Sequence, residues 1–217
     1  MTRSIAAISW SGGKDCCTAL MRVSASLDVR LMLTMFGEDG QRSRSHGLRP
    51  DIIAAQAERL GVESLTTRCT WDTYTAQYIA MLGEARARGV THVVFGDIMG
   101  AEHRAWNEQV CAAHGLTAVM PIWGEPTRRL ATEFITQGGE AVLVTVRPPA
   151  LDESWLGTIL AADTLDRFEH SGIDPCGEFG EYHTVVTHCP LFSSRLELVP
   201  GRRVLSNGCW AMDFTLS

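Results

Sequence analysis

The chain has 217 residues, 45% of them hydrophobic, and its 19 basic and 25 acidic side chains leave a formal net charge of -6. That length and composition support one large domain, or one domain with a small appendage, and exclude a disordered chain. The acidity argues against a general electrostatic grip on nucleic acid, and no apolar run approaches the roughly 18 residues that cross a bilayer; with no leader-like segment before the first strand, a cytoplasmic location is expected.

In chain order, short β-rich runs at 5–10, 29–36, 64–69, 92–95, 117–120 and 141–146 alternate with helical periodicity at 15–26, 51–60, 73–88, 102–114 and 127–137. Gly61, Gly89, Gly115 and Gly138 stand where helices should end. This repeated unit predicts an α/β sandwich: a parallel sheet covered by helices on both faces, with ligands at the carboxyl ends of the strands near a topological switch point. Arg147-Pro148-Pro149 then breaks the alternation, residues 156–170 form the last helix-like stretch, and β-branched and aromatic residues dominate from His183 onward. Residues 1–146 are therefore expected to form a nucleotide-binding domain and 147–217 a smaller, strand-rich substrate lobe. Seven cysteines, scattered and without a C-x-x-C pair, read as reduced thiols.

Ser11-Gly12-Gly13-Lys14-Asp15 follows the first strand and opens the first helix. Two glycines let the backbone turn its N–H groups onto an anion, the helix adds the positive end of its dipole, and Lys14 adds a full charge. The spacing is neither that of the Walker P-loop nor G-x-G-x-x-G. A plain strand-to-helix turn would explain the glycines but not the lysine and carboxylate after them. Gly96-Asp97 ends the fourth strand at the same sheet edge, where a carboxylate serves ribose hydroxyls, magnesium or substrate. The loop 37–49, with Arg42, Arg44, His46 and Arg49, is too polar for a core and should be a mobile cover over the nucleotide; His46 is its best candidate for substrate contact. Arg104 either lines the cleft or covers its own helix.

Two later segments gather polar groups. Leu151-Asp152-Glu153-Ser154-Trp155-Leu156-Gly157 places two carboxylates, a hydroxyl and an indole in one turn, which suits a binding loop. In Gly177-Glu178-Phe179-Gly180-Glu181-Tyr182-His183-Thr184, glycines flank Glu178 while Glu181 and His183 begin a strand, so acids and an imidazole converge at a flexible corner. Cys176, Glu181 and His183 lack a fourth ligand and the usual zinc spacing.

SGGKD resembles the PP-loop of the ATP pyrophosphatases, and joined to Gly96-Asp97, LDESWLG and GEFGEYHT with Pro190-Leu191-Phe192 it is similar to the diphthine–ammonia ligase family, of the adenine-nucleotide α-hydrolase-like fold group. The likeness spans nearly the whole chain. It implies ATP-dependent amidation, in which a carboxylate is activated as its adenylate, pyrophosphate leaves and ammonia displaces AMP, with ATP and Mg2+ bound. It places Ser9, Ser11, Gly12, Gly13, Lys14, Asp15, Cys16, Met35, Gly96 and Asp97 at the nucleotide, with Asp15 on magnesium. It places His46, Arg104, Asp152, Glu153, Ser154, Trp155, Glu178, Glu181 and His183 at the acceptor, with Lys14, Asp15, Glu178 and Glu181 as catalytic groups. The implied acceptor is either elongation factor 2, through its modified histidine, or a small carboxylate metabolite, a cobamide-related one included; a non-catalytic ATP sensor is the alternative from another class. Thiolation or lysidine-type modification of tRNA is disfavoured by the acidic charge and absent C-x-x-C. Cys16 stands where many such loops carry serine, and Phe179 where the family often has asparagine or glycine. Six tryptophans and an appended lobe would also suit a homodimer.

Overall fold

A computed structural model describes residues 3–217. Its first sheet contains β1 (Ser4–Ser9), β2 (Leu27–Gly37), β3 (Glu63–Cys69), β4 (His92–Val94) and β5 (Thr117–Val119), all parallel, in the order β3-β2-β1-β4-β5. Parallel neighbours require crossovers, and α1 (Lys14–Val23), α2 (Pro50–Leu60), α3 (Tyr74–Ala87) and α4 (Ala101–Ala112) supply them. The chain runs outward from β1 first through β2 and β3, then back to β4 and β5 on the other side. The loops after β1 and β4 therefore diverge and open a crevice, the switch point of the sheet.

The two-residue period of the strands sorts the core into two layers. Ala6, Ile8 and Met32 pack with Cys17 and Leu20 of α1 and Ile52 and Ile53 of α2, while Ala7, Leu31 and Leu33 pack with Tyr78 and Leu82 of α3 and Val110 of α4. Local signals agree with this layout. Pro50 occupies the first turn of α2, and Gly61 ends it at φ 67°, a left-handed position that a side chain would strain.

The second sheet is antiparallel, in the order β7-β6-β9-β8, built from β6 (Glu140–Val146), β7 (Tyr182–His188), β8 (Leu198–Ser206) and β9 (Cys209–Leu216). This corrects the place of the sixth strand, which the alternating pattern assigned to the parallel sheet. Its residues 141–146 are mostly buried because β6 lies between β7 and β9, and a strand enclosed in this way reads as the same apolar run that a parallel strand shows. The helix expected over 156–170 also begins late, as α6 (Ala162–His170), because residues 158–160 run along β6, with Leu143 N–H bonded to Thr158 O and Leu160 N–H to Ala141 O.

The sheets share one apolar layer in which Leu143, Val185 and Val186 meet Cys17 and Leu20. Between them α1 is clamped onto α5 (Thr127–Thr136) by Arg22, whose guanidinium reaches Glu133 at 2.6 Å and Glu125 at 3.0 Å. No helix among the described residues is long and apolar enough to cross a membrane.

Candidate ATP-binding site

The loop after β1 is shaped by close approach. Gly12 sits at φ 87°, and a Cβ added at Gly13 would lie 2.2 Å from the His46 ring. The second sheet fixes this loop from behind: Val186 N–H bonds to Gly12 O at 2.9 Å, Lys14 N–H to the Thr184 hydroxyl at 3.1 Å, and the buried Gln56 amide bonds to both Gly12 O and Val186 O. Helix α1 starts at Lys14, where Gly13 supplies no cap and Thr184 takes the first N–H, and the positive end of its dipole faces the crevice. Gly96, at the end of β4, packs so tightly on this helix start that a Cβ would meet Cys16 N at 2.6 Å.

The Lys14 side chain is 3% exposed, with Nζ 2.9 Å from Asp15, bonded to Cys176 O, and 5.1 Å from the Tyr182 ring centre. Burial, the largest single influence, works to lower its pKa, but Asp15, Tyr182 and Cys176 together outweigh it and hold it well above the ordinary range. Lys14 is thus a permanent cation. Cys16 adds no charge, since burial raises its thiol pKa; its Sγ lies 3.3 Å from the Ser11 hydroxyl and 3.1 Å from Gly13 O.

A cavity of about 400 Å³ opens here, lined by Ser9, Ser11, Asp15 and Cys16 from the β1 side, Met35 from β2, Gly96 and Asp97 from β4, and Glu178 from the second sheet's corner. Burial, then the nearby Asp15 charge, pushes Glu178 up to about 7, and burial raises Asp97 despite His103 and Asn107 beside it. Three carboxyl groups on the wall of one cavity fit Mg2+ held by one or two carboxylates and by phosphate oxygens, although no preformed cluster of three metal-ligating side chains exists among the described residues.

Gly12, Gly13 and Lys14 stand behind the cavity wall rather than on it, and other expected site residues lie elsewhere. Glu181 accepts hydrogen bonds from the N–H groups of Asp174 (3.2 Å) and Phe179 (3.0 Å), shaping the corner that carries Glu178. His183 stacks on His46. Arg104 pairs with Glu108 at 2.8 Å and lies over Trp123. Asp152 caps the short 3-10 turn Glu153–Trp155 by accepting from Ser154, and none of residues 152–155 lines the cavity. Trp155 instead packs on Phe168, Phe168 on Tyr182, and the Tyr182 ring faces Lys14. The LDESWLG turn therefore reaches the phosphate loop through an aromatic chain. The loop 37–49 is tied down rather than loose: Arg44 N–H bonds to Met35 O, Ser43 Oγ accepts from Leu48 N–H, and Arg42 and Arg49 both reach Asp213. Sequence reasoning passed over Ser45, Tyr74 and His103, which line the cavity, and Gln56 and Thr184, which hold the loop. A glutamine on the buried face of α2 was the one signal available.

A glycine-paired loop at a helix start, open at the switch point of a parallel sheet and backed by a buried lysine, defines an α/β protein with a candidate phosphate site. Family models then narrow the class: the diphthamide synthase N-terminal domain matches residues 3–118 and the diphthamide synthase C-terminal domain residues 126–213. The chain belongs to the diphthamide synthase family. It is similar to the diphthine–ammonia ligase of Schizosaccharomyces pombe, 29% identical over 87% of this chain and 35% of that protein, and to that of Rattus norvegicus, 26% identical over 86% and 79%. The chain thus spans about a third of the fission yeast relative's length. The solved structure of a predicted subunit of tRNA methyltransferase from Methanocaldococcus jannaschii superposes on 86% of this chain and 98% of that one, with a TM-score of 0.44 and 12% identity.

Proposed function

We propose that the protein is an ATP-dependent carboxylate–ammonia ligase. The observation that supports this best is the glycine-paired loop at the start of α1 with the Lys14 cation buried behind it, an arrangement suited to the pyrophosphate that leaves when ATP is cleaved at its α-phosphate. In this reading an acceptor carboxylate oxygen bonds to the α-phosphorus and the bond to pyrophosphate breaks. The loop N–H groups and Lys14 stabilise the departing charge. Ammonia then bonds to the acyl carbon, AMP leaves, and one proton must go. Glu178, with its pKa pushed up to about 7, is suited to take that proton near neutral pH. Asp15, with Asp97 near it, would hold Mg2+, which supplies charge neutralisation at the phosphates. His46 and His183 close the loop from above, and residues 152–155 support it through Trp155.

Lys14→Ala should abolish ATP-dependent formation of AMP and pyrophosphate while leaving the circular dichroism spectrum unchanged. Retained AMP formation would remove the ligase reading.

A further inference from the structure

A second cavity, of about 640 Å³, lies between the loop 37–49 and the antiparallel sheet, and Ser45 and His46 line both it and the nucleotide cavity. Its charge is opposite in character. Four guanidinium groups, Arg42, Arg44, Arg49 and Arg147, face it against a single carboxylate, Asp213, in a chain whose net charge is -6. Asp213 is already engaged by Arg42 at 2.8 Å and Arg49 at 2.7 Å. Arg44 and Arg147 are left over: no carboxylate among the described residues pairs with either. Arg44 lies flat on Trp71, 3.8 Å from the ring centre, and its Nε and one terminal nitrogen are buried without a hydrogen-bond partner. Buried donors left unpaired are costly, and a fixed guanidinium with free N–H groups is shaped for an oxyanion. Arg147 is exposed at the rim, its guanidinium against Gly180, where a Cβ would lie 2.9 Å from Nη1.

We infer that this cavity is an anion subsite for the acceptor: Arg44 and Arg147 hold a carboxylate or phosphate group of a small acidic molecule whose reacting carboxyl reaches the nucleotide cavity past Ser45 and His46. The inference rests on the ligase reading for what the molecule is, though not for the anion binding itself. The volume suits a metabolite-sized ligand. The stacked His46 and His183 rings line this cavity and Lys14 does not, so the two positive centres serve different ends of the reaction. The acceptor would then carry at least two anionic groups, one activated and one held.

The test uses the full chain without nucleotide. Tricarballylate and inorganic phosphate are titrated by calorimetry and by tryptophan fluorescence, which reports Trp71 beneath Arg44. At least one probe should bind saturably, and Arg147→Met, at an exposed position that leaves the fold intact, should weaken it about tenfold or more, the loss expected for a charge-assisted hydrogen-bonding partner. Arg44→Met should do the same, with Arg44→Lys recovering part of the loss, and Lys14→Ala should leave this binding unchanged. The stronger probe tells whether the held group is a carboxylate or a phosphate. Binding that is equal in wild type and Arg147→Met, binding that vanishes in Lys14→Ala, or saturable binding of neither probe overturns the subsite. AMP formation is measured separately: an active enzyme that binds neither probe loses the subsite alone, and a probe-binding protein that forms no AMP loses the ligase reading alone.

Discussion

The imidazole of His46 stacks on that of His183, with ring centres 4.6 Å apart and planes inclined by 19°. The His46 Nδ1 lies 2.7 Å from the Thr184 carbonyl oxygen, which can only accept, so Nδ1 carries the hydrogen. Burial lowers His46 to about 4, with the Lys14 charge adding to it, and burial lowers His183 to about 3, with His46 and Lys14 contributing. The loop that covers Gly13 is thus closed by two neutral rings.

The two rings should work against stability on mild acidification. Between the ordinary histidine value of 6.5 and about 4, the unfolded chain takes up protons at these positions and the folded chain does not. The stability present above 6.5 is lost progressively as pH drops toward the folded values. Glu178, raised to about 7, takes up its proton first in the folded chain and works the other way, so the histidine contribution is read by comparison: between pH 7 and pH 5 the thermal midpoint of His183→Gln should fall less, or rise more, than that of the wild type.

Glu178 should govern a rate. As a base with a pKa near 7 it is half ionised at neutrality, so kcat should rise about tenfold per pH unit below 7 and level off above it. Glu178→Gln should lower kcat by about 10²–10⁴-fold while ATP affinity, read by equilibrium dialysis, changes little. A pH profile that keeps its lower limb in the variant would assign the proton to another group.

Gly96→Ala should damage the nucleotide site without touching its polar groups. The new Cβ would meet Cys16 N, Cys16 Cα and Asp15 C between 2.6 and 2.8 Å, all backbone atoms with nowhere to move except along α1. Overpacking of this kind costs about 1–3 kcal/mol. A reduced melting temperature together with weaker ATP binding in calorimetry is expected.

Asp213→Ala should loosen the loop 37–49 without unfolding the protein. Partly exposed ion pairs contribute about 1 kcal/mol or less, so the melting temperature should move little. Hydrogen exchange at residues 43–48, whose anchor through Arg42 and Arg49 is removed, should accelerate while exchange in β1 and β2 stays slow.

Much of this was legible in the chain. The phosphate loop, the five parallel strands and their helices follow from local signals: a glycine pair, apolar periods and capping glycines. What was not legible depends on distant pairing. Strand β6 could not be assigned to its sheet, because its partners β7 and β9 lie about 40 and 70 residues further along and an enclosed strand has the same composition in either sheet. Asp152–Trp155 read as a binding loop because polar groups in a turn look functional, whereas Asp152 caps a 3-10 turn and Trp155 packs on Phe168. Arg44 over Trp71 and His46 over His183 join residues with no sequence relation at all. Glu178 stood out by its flanking glycines, but its proximity to Asp15, which helps set its pKa, is a product of the fold.

The bonds from Val186 and Gln56 to Gly12, and from Lys14 to Thr184, have an evolutionary corollary. The Ser11–Asp15 loop lies in the segment matched by one family model, and Thr184 and Val186, which fix its shape, in the segment matched by the other. Neither segment is a portable module. Chimaeras that swap one half between distant relatives would inherit a correct phosphate motif on a mismatched foundation, and the two halves can drift only in step.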